Sequence, residues 1–170
     1  MHVLVTGATG FIGRPLCRYL LNKGFKVTGI SRYPRSSDIA QENHFKDLYM
    51  KYCDIANEHD IVNIFDDMDS IDGVFHLAGQ TYRNDSPGIH TYFRNNFQGT
   101  MNILECCRIF NIKRFVSSSS YAVYGLGVNQ HIPKYTPVDE NHIVKPYDFY
   151  DISKYCAEQM CKFYYEKFGM

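Results

Sequence analysis

The chain has 170 residues, enough for one domain with a real core. Lys plus Arg and Asp plus Glu balance at 18 each, so no basic excess points to nucleic acid and no acidic tail to disorder. Apolar residues make up 45% and charged residues 21%, an ordinary globular composition, and no apolar run approaches the roughly 18 residues of a membrane span.

In chain order, residues 2–6 predict a strand and residues 11–23 a helix, with Ile12, Leu16, Tyr19 and Leu20 on one face and Gly24 as its stop. A second strand is predicted over 26–31, a polar loop over 33–43 and a third strand over 49–53. A helix over 58–68 carries Ile61, Ile64, Phe65 and Met68. The fourth strand is predicted over 73–77 and a long helix over 90–110, with Phe93, Phe97, Met101 and Leu104 as its apolar stripe. A fifth strand over 114–118, a loop over 125–147 and a helix over 149–168 complete the pattern. Strict β-α alternation predicts a parallel sheet with helices on both faces, binding ligands beyond the carboxyl ends of its strands.

The fourteen Tyr and twelve Phe, with no Trp, read as core filling. The cysteines are Cys17, Cys53, Cys106, Cys107, Cys156 and Cys161; none forms a Cys-x-x-Cys pair and no Cys/His spacing fits zinc, so no metal site is expected. They read as reduced, mostly buried thiols of a cytoplasmic protein, and the apolar start at Val3-Leu4-Val5 shows no signal peptide.

The first chemical signal lies between strand 1 and helix 1, where Gly7, Gly10 and Gly13 have the G-x-x-G-x-x-G spacing. Glycines let the backbone turn sharply and approach a pyrophosphate, while the helix N-terminus offers free N–H groups and a favourable dipole. Strand 2 should end near an adenosine ribose, where an acid would suit the ribose hydroxyls. The chain has Ser31 and Arg32 there, with Arg35 nearby, and a guanidinium suits a 2′-phosphate. The expected cofactor is therefore NAD(P), leaning to NADP.

Tyr150 and Lys154, at the start of the last helix, lie four residues apart and share a helix face. A phenol is a poor base at neutral pH, and an ammonium one turn away stabilises the phenolate. On residues alone such a pair is also ordinary surface packing. Its place thirty residues after Ser120 at a Ser-rich strand end gives it meaning. Tyr124 is rejected as a rival because position 128 is Val.

Thr6-Gly7-Ala8-Thr9-Gly10-Phe11-Ile12-Gly13 resembles the opening of the extended short-chain dehydrogenases/reductases, the NAD-dependent epimerase/dehydratase group. Three further stretches match in order: His76-Leu77-Ala78-Gly79-Gln80 with Asn95-Asn96-Phe97-Gln98-Gly99-Thr100, then Ser117 to Gly125, then Tyr150 to Lys154. The resemblance implies a Rossmann-type doubly wound sheet. It assigns dinucleotide contacts to Gly7, Thr9, Gly10, Phe11, Ile12, Gly13, Ser31, Arg32, Asp54, Ile55, Leu77, Ala78, Gly79, Asn95, Ser118, Tyr150 and Lys154. It assigns catalysis to Ser120, Tyr150 and Lys154, with Tyr150 moving the proton, Ser120 bonding the same substrate oxygen and Lys154 also holding the nicotinamide ribose. Without the resemblance, Asn95 and Asn96 read as helix-surface polarity, and Asp54 as a loop residue.

Relatives of this type act on nucleotide sugars as 4-epimerases, 4,6-dehydratases or 4-keto reductases. Dehydratases carry acids just after the catalytic Ser/Thr, where this chain has Tyr121 and Ala122, so epimerase or reductase chemistry is expected. The alternatives are a cofactor-binding sensor that has lost catalysis, or a scaffold. Relatives continue past the last helix into further strands and a substrate domain. Residues 1–170 are therefore expected to be the nucleotide-binding portion, an incomplete sheet that is unstable alone. A homodimer through a helix bundle is the expected assembly.

Overall fold

Five short runs rich in β-branched and aromatic residues form one parallel sheet in the computed structural model, which describes residues 1–32, 47–81, 88–126 and 131–170. The strands are β1 (His2–Thr6), β2 (Lys26–Ser31), β3 (Leu48–Tyr52), β4 (Gly73–His76) and β5 (Phe115–Ser117), in the spatial order β3-β2-β1-β4-β5. The helices are α1 (Gly13–Asn22), α2 (Glu58–Asp66), α3 (Ile89–Tyr92), α4 (Gly99–Ile109) and α5 (Phe149–Phe168). A π-helical turn (Phe93–Gln98) joins α3 to α4, and a 3-10 turn (Tyr121–Tyr124) follows β5. Thr6 stands in register with Ile30 on one side and His76 on the other, and His76 with Ser117, so the carboxyl ends line up. Chain order runs outward to β3 and then returns to β4 beside β1. The gap between β1 and β4 is therefore the switch point where such sheets bind ligands.

Side chains of β1 alternate between two cores, as a strand's period of two requires. Leu4 packs with Ile30 and Val74 against Ile61 and Phe65 of α2 and Ile103 and Cys107 of α4. Val3 and Val5 pack with Val27 against Cys17 and Leu20 of α1. All six cysteines are free thiols, four of them buried.

The structure corrects several boundaries and faces. Helix α1 begins at Gly13, and its buried residues are Gly13, Cys17 and Leu20, while Ile12 and Tyr19 are 58% and 59% exposed. The reason is the closeness of the start of α1 to the strand end: a Cβ on Gly13 would stand 2.1 Å from the Gly7 carbonyl oxygen, so the small residues Gly13 and Cys17 face the sheet there, and Leu20 enters the core a turn further on. The helix expected over 90–110 is broken by the π-helical turn, and of its expected stripe only Leu104 is fully buried; Phe93, Phe97 and Met101 are half-buried. Strand 4 stops at His76 because Leu77 and Ala78 turn their N–H groups onto the Thr6 hydroxyl at 3.0 and 2.9 Å. The expected loop over 33–43, with Arg35, lies outside the described residues.

Candidate nucleotide-binding and active site

A cleft of about 400 Å³ opens at the carboxyl ends of β1, β2 and β4. Its floor is the loop from Gly7 to Gly13, including Thr9, Gly10, Phe11 and Ile12. Gly7 has φ +67°, and a Cβ there would stand 2.9 Å from the Ala78 nitrogen. The loop can thus lie against the end of β4 only without side chains at these places. Helix α1 has no side-chain cap and no acidic residue in its first turn; the Arg14 and Leu16 N–H groups bond the Gly10 and Ile12 carbonyls and residue 15 is Pro, so its N-terminus offers the cleft chiefly the positive end of the helix dipole. Phe11 is 97% exposed at the cleft mouth. The glycines and the positive end of the α1 dipole suit this floor to an anionic group such as a pyrophosphate.

Ile30, Ser31 and Arg32 at the end of β2 form one wall, with Cys53 and Ile55 beyond it. The Ser31 and Thr9 hydroxyls are 2.8 Å apart, tying wall to floor. Arg32 Nη1 donates to Asn95 Oδ1 at 3.3 Å, across the cleft from the π-helical turn. Leu77, Ala78, Gly79 and Thr81 form the opposite rim. Asp54 is not on the lining: its carboxylate accepts from Arg94 at 2.7 Å and from the Ala56 N–H at 3.1 Å. Burial pushes that carboxyl up, but Arg94, the Ala56 N–H and Arg32 together hold it below its ordinary value. Ile30, Cys53 and Thr81 were not anticipated as lining residues. They neighbour Ser31, Asp54 and Gly79 in sequence, which is the signal that would have found them.

Asn95 and Asn96 are not surface residues; they are 4% and 2% exposed. An ordinary helix turns 100° per residue, and the wider π turn lets both side chains point inward in different directions. Asn95 lines the cleft and donates to the Thr91 carbonyl at 2.9 Å. Asn96 faces α5: its Oδ1 accepts from the Gln80 N–H at 2.6 Å, and its Nδ2 donates to the Ser153 hydroxyl at 2.9 Å. The Ser153 hydroxyl then donates to the Tyr150 carbonyl at 2.7 Å.

None of the three expected catalytic residues is on the lining of this cleft. Ser120 caps the 3-10 turn, its hydroxyl accepting from the Ala122 N–H at 3.2 Å. Asp148 caps α5 by accepting from the Tyr150 and Asp151 N–H groups at 2.9 and 3.1 Å, and Asp151 returns the bond, forming a capping box. This fixes Tyr150 in the first turn of the helix, with its ring tilted against Tyr92 of α3 at 5.8 Å. Lys154, 9% exposed, donates to the Ser118 carbonyl at 2.5 Å. Burial lowers the Lys154 pKa, opposed by Cys161 and Glu158. Ser118 and Lys154 line a separate hollow between β5 and α5 with Glu158, which accepts from the Ser119 hydroxyl.

Strand order, helices on both faces and the glycine turn after β1 together define a protein of the doubly wound α/β class. The sequence matches the NAD dependent epimerase/dehydratase family over residues 3–170, and the chain belongs to that family. It is 30% identical over 178 residues to the UDP-glucose 4-epimerase of Caenorhabditis elegans, covering 94% of this chain and 48% of that protein. Against the bifunctional UDP-glucose 4-epimerase and UDP-xylose 4-epimerase 3 of Arabidopsis thaliana it is 32% identical over 170 residues, 95% of this chain and 46% of that one. The crystal structure of UDP-glucose 4-epimerase from Bifidobacterium longum in complex with NAD+ and UDP superposes with a TM-score of 0.84 at 30% identity, covering 98% of this chain and 49% of that one. The chain spans about half the length of the curated relatives it matches. Among the described residues no helix is long and apolar enough to cross a membrane, and no group of His, Cys, Asp or Glu is placed to hold a metal ion.

Proposed function

We propose that this chain is the nucleotide-binding portion of an NAD(P)-dependent nucleotide-sugar 4-epimerase. The observation that carries this reading is the pairing, at one end of one sheet, of an uncapped phosphate-binding helix with a capped helix presenting Tyr150 and Lys154. The UDP-sugar 4-epimerases of Caenorhabditis elegans and Arabidopsis thaliana align over 94% and 95% of the chain, which supports it. A bound nicotinamide dinucleotide would supply a hydride acceptor and donor. Tyr150 takes the proton of the sugar hydroxyl as its carbon is oxidised, and returns it once the keto sugar presents its other face. Ser120 donates to the same oxygen. Lys154 has ammonium protons beyond the one on Ser118, and these hold the ribose and favour the Tyr150 phenolate. Tyr121 and Ala122 carry no acid for dehydration.

A second reading, an NADP-dependent 4-keto-sugar reductase, is favoured by Arg32 on the cleft wall where an acid would select NAD. A cofactor sensor without catalysis is disfavoured by the retention of Ser120, Tyr150 and Lys154. The half-buried Phe93, Phe97 and Met101 stripe supports a homodimer built on the helical stretch from α3 through the π-helical turn to α4, together with α5, and the free thiols fit a cytoplasmic protein. The test is titration with NADH and NADPH by nicotinamide fluorescence, followed by assay of the full-length protein on UDP-glucose and UDP-galactose. NADH preference with interconversion supports the epimerase. NADPH preference, reduced about tenfold by Arg32→Ala, supports the reductase. Binding of neither sinks both.

A further inference from the structure

A file of buried polar groups crosses the sheet behind the cleft without touching it. His76 is 2% exposed, and its ring stacks on Phe115 at 5.8 Å. Its Nδ1 lies 2.9 Å from the Thr6 hydroxyl and its Nε2 lies 3.0 Å from the Thr100 hydroxyl. The Thr100 hydroxyl donates its one proton to the Asn96 backbone carbonyl, at 2.5 Å. It must therefore accept from His76, so Nε2 carries the ring proton. A neutral imidazole then has a bare Nδ1, and Thr6 must donate to it. The Thr6 oxygen agrees, because its accepting positions are taken by the N–H groups of Leu77 and Ala78. The proton order is fixed at every link: Thr6 to His76, His76 to Thr100, Thr100 to Asn96.

The two ends of this file stand directly behind two sides of the cleft. Thr6 is the last residue before the phosphate loop, and its hydroxyl shapes the Leu77–Ala78 rim. Asn96 is the residue of the π-helical turn that grips Gln80 and Ser153, next to Asn95 on the cleft wall. Resting on the reading of the cleft as a dinucleotide site, we propose that His76 is a positioning residue, a one-way hydrogen-bond relay that sets the π-helical turn against the phosphate loop. It acts on the cofactor only through Thr6, Thr100 and Asn96. Burial, with Lys154 adding to it, pushes the imidazole down to about 3, which keeps the neutral form that the relay requires.

Two measurements on the full chain test this. The first is a correlation spectrum of 15N-labelled imidazoles, with the His76 signals assigned by their loss in His76→Gln. The expected pattern is a protonated Nε2 and bare Nδ1, unchanged down to about pH 5. An Nδ1–H tautomer, or an imidazolium at that pH, overturns the relay. The second is Thr100→Val, nearly isosteric and away from the cleft lining, in which Asn96 and His76 lose their shared partner. The relay expects NADH affinity about tenfold weaker, faster amide exchange at residues 80 and 93–98, and unaltered exchange in β2 and β3, with recovery in Thr100→Ser. Wild-type affinity and exchange in Thr100→Val overturn it, as does uniform loosening of the sheet. Wild-type protein that binds no dinucleotide would instead remove the reading of the cleft, leaving the relay to the tautomer and exchange readouts.

Discussion

Two helix N-termini, that of α1 on the cleft and that of α5 off its lining, are finished in opposite ways. Helix α1 has no side-chain cap, no acid in its first turn, and glycine at its first position. Helix α5 closes its own N–H groups with Asp148 and Asp151 in a reciprocal box. The first leaves its field open to an anion from outside; the second satisfies it internally and so holds Tyr150 and Lys154 in place. A helix end left bare is a place for a ligand, and a helix end sealed by carboxylates is a mount for side chains.

The contrast is broken most severely at Gly13. Gly13→Val puts a Cβ 2.1 Å from the Gly7 oxygen and 2.9 Å from the Ala8 Cα, backbone atoms that cannot swing aside. The expected loss exceeds the ~1–3 kcal/mol of ordinary overpacking and shows as a collapsed thermal transition. Next is Tyr150→Phe, which leaves the α5 cap and the ring contact with Tyr92 in place. Turnover of the full-length protein should fall roughly 10²–10⁴-fold while cofactor affinity holds, and unchanged turnover would refute the role given to Tyr150.

Acid should sharpen the comparison by acting on the group between the two ends. His76 is held at about 3 in the folded chain, against an ordinary 6.5 when unfolded. Between those values the unfolded state binds more protons. The contribution of His76 is therefore whole above about pH 6.5 and is lost as pH falls toward 3, at up to about 1.4 kcal/mol per unit. Asp151 runs the other way, since burial raises its carboxyl and acid relieves the penalty. Urea midpoints at pH 7 and pH 5 should show an acid loss that His76→Gln flattens. The smallest effect belongs to the sealed helix. Asp148→Ala removes one cap and should lower stability by about 1 kcal/mol, read from the same urea curves.

The strands were legible because each is a short apolar run bounded by polar residues, and the glycine spacing stood out because it follows one of them. On the expected face of α1, Leu20 is buried and Leu16 packs against the core, but Ile12 and Tyr19 are exposed, because size as well as polarity decides what can face the strand ends. At Gly13 and Cys17 it is small size that permits close approach. The π-helical turn left no local mark: it is held by Gln80, Ser153 and Thr100, residues distant in sequence or beyond the turn. The same holds for His76. It was visible as part of a stretch, but its partners Thr6 and Thr100 come from other elements. Tyr150 and Lys154 could be paired from their spacing, whereas the attachment of Lys154 to Ser118 depends on how α5 meets β5.

Gly125 has φ +69°, and its N–H bonds back to Ala122 while its carbonyl accepts from His131; Lys145 bonds in turn to Val123. The chain leaves the 3-10 turn and is stitched back to it at two points before entering α5. Separation along the sequence is thereby uncoupled from separation in space. Changes between the stitches therefore need not shift the 3-10 turn against the segment that leads into α5. Length and chemistry can vary there while both ends of the stretch stay where they are.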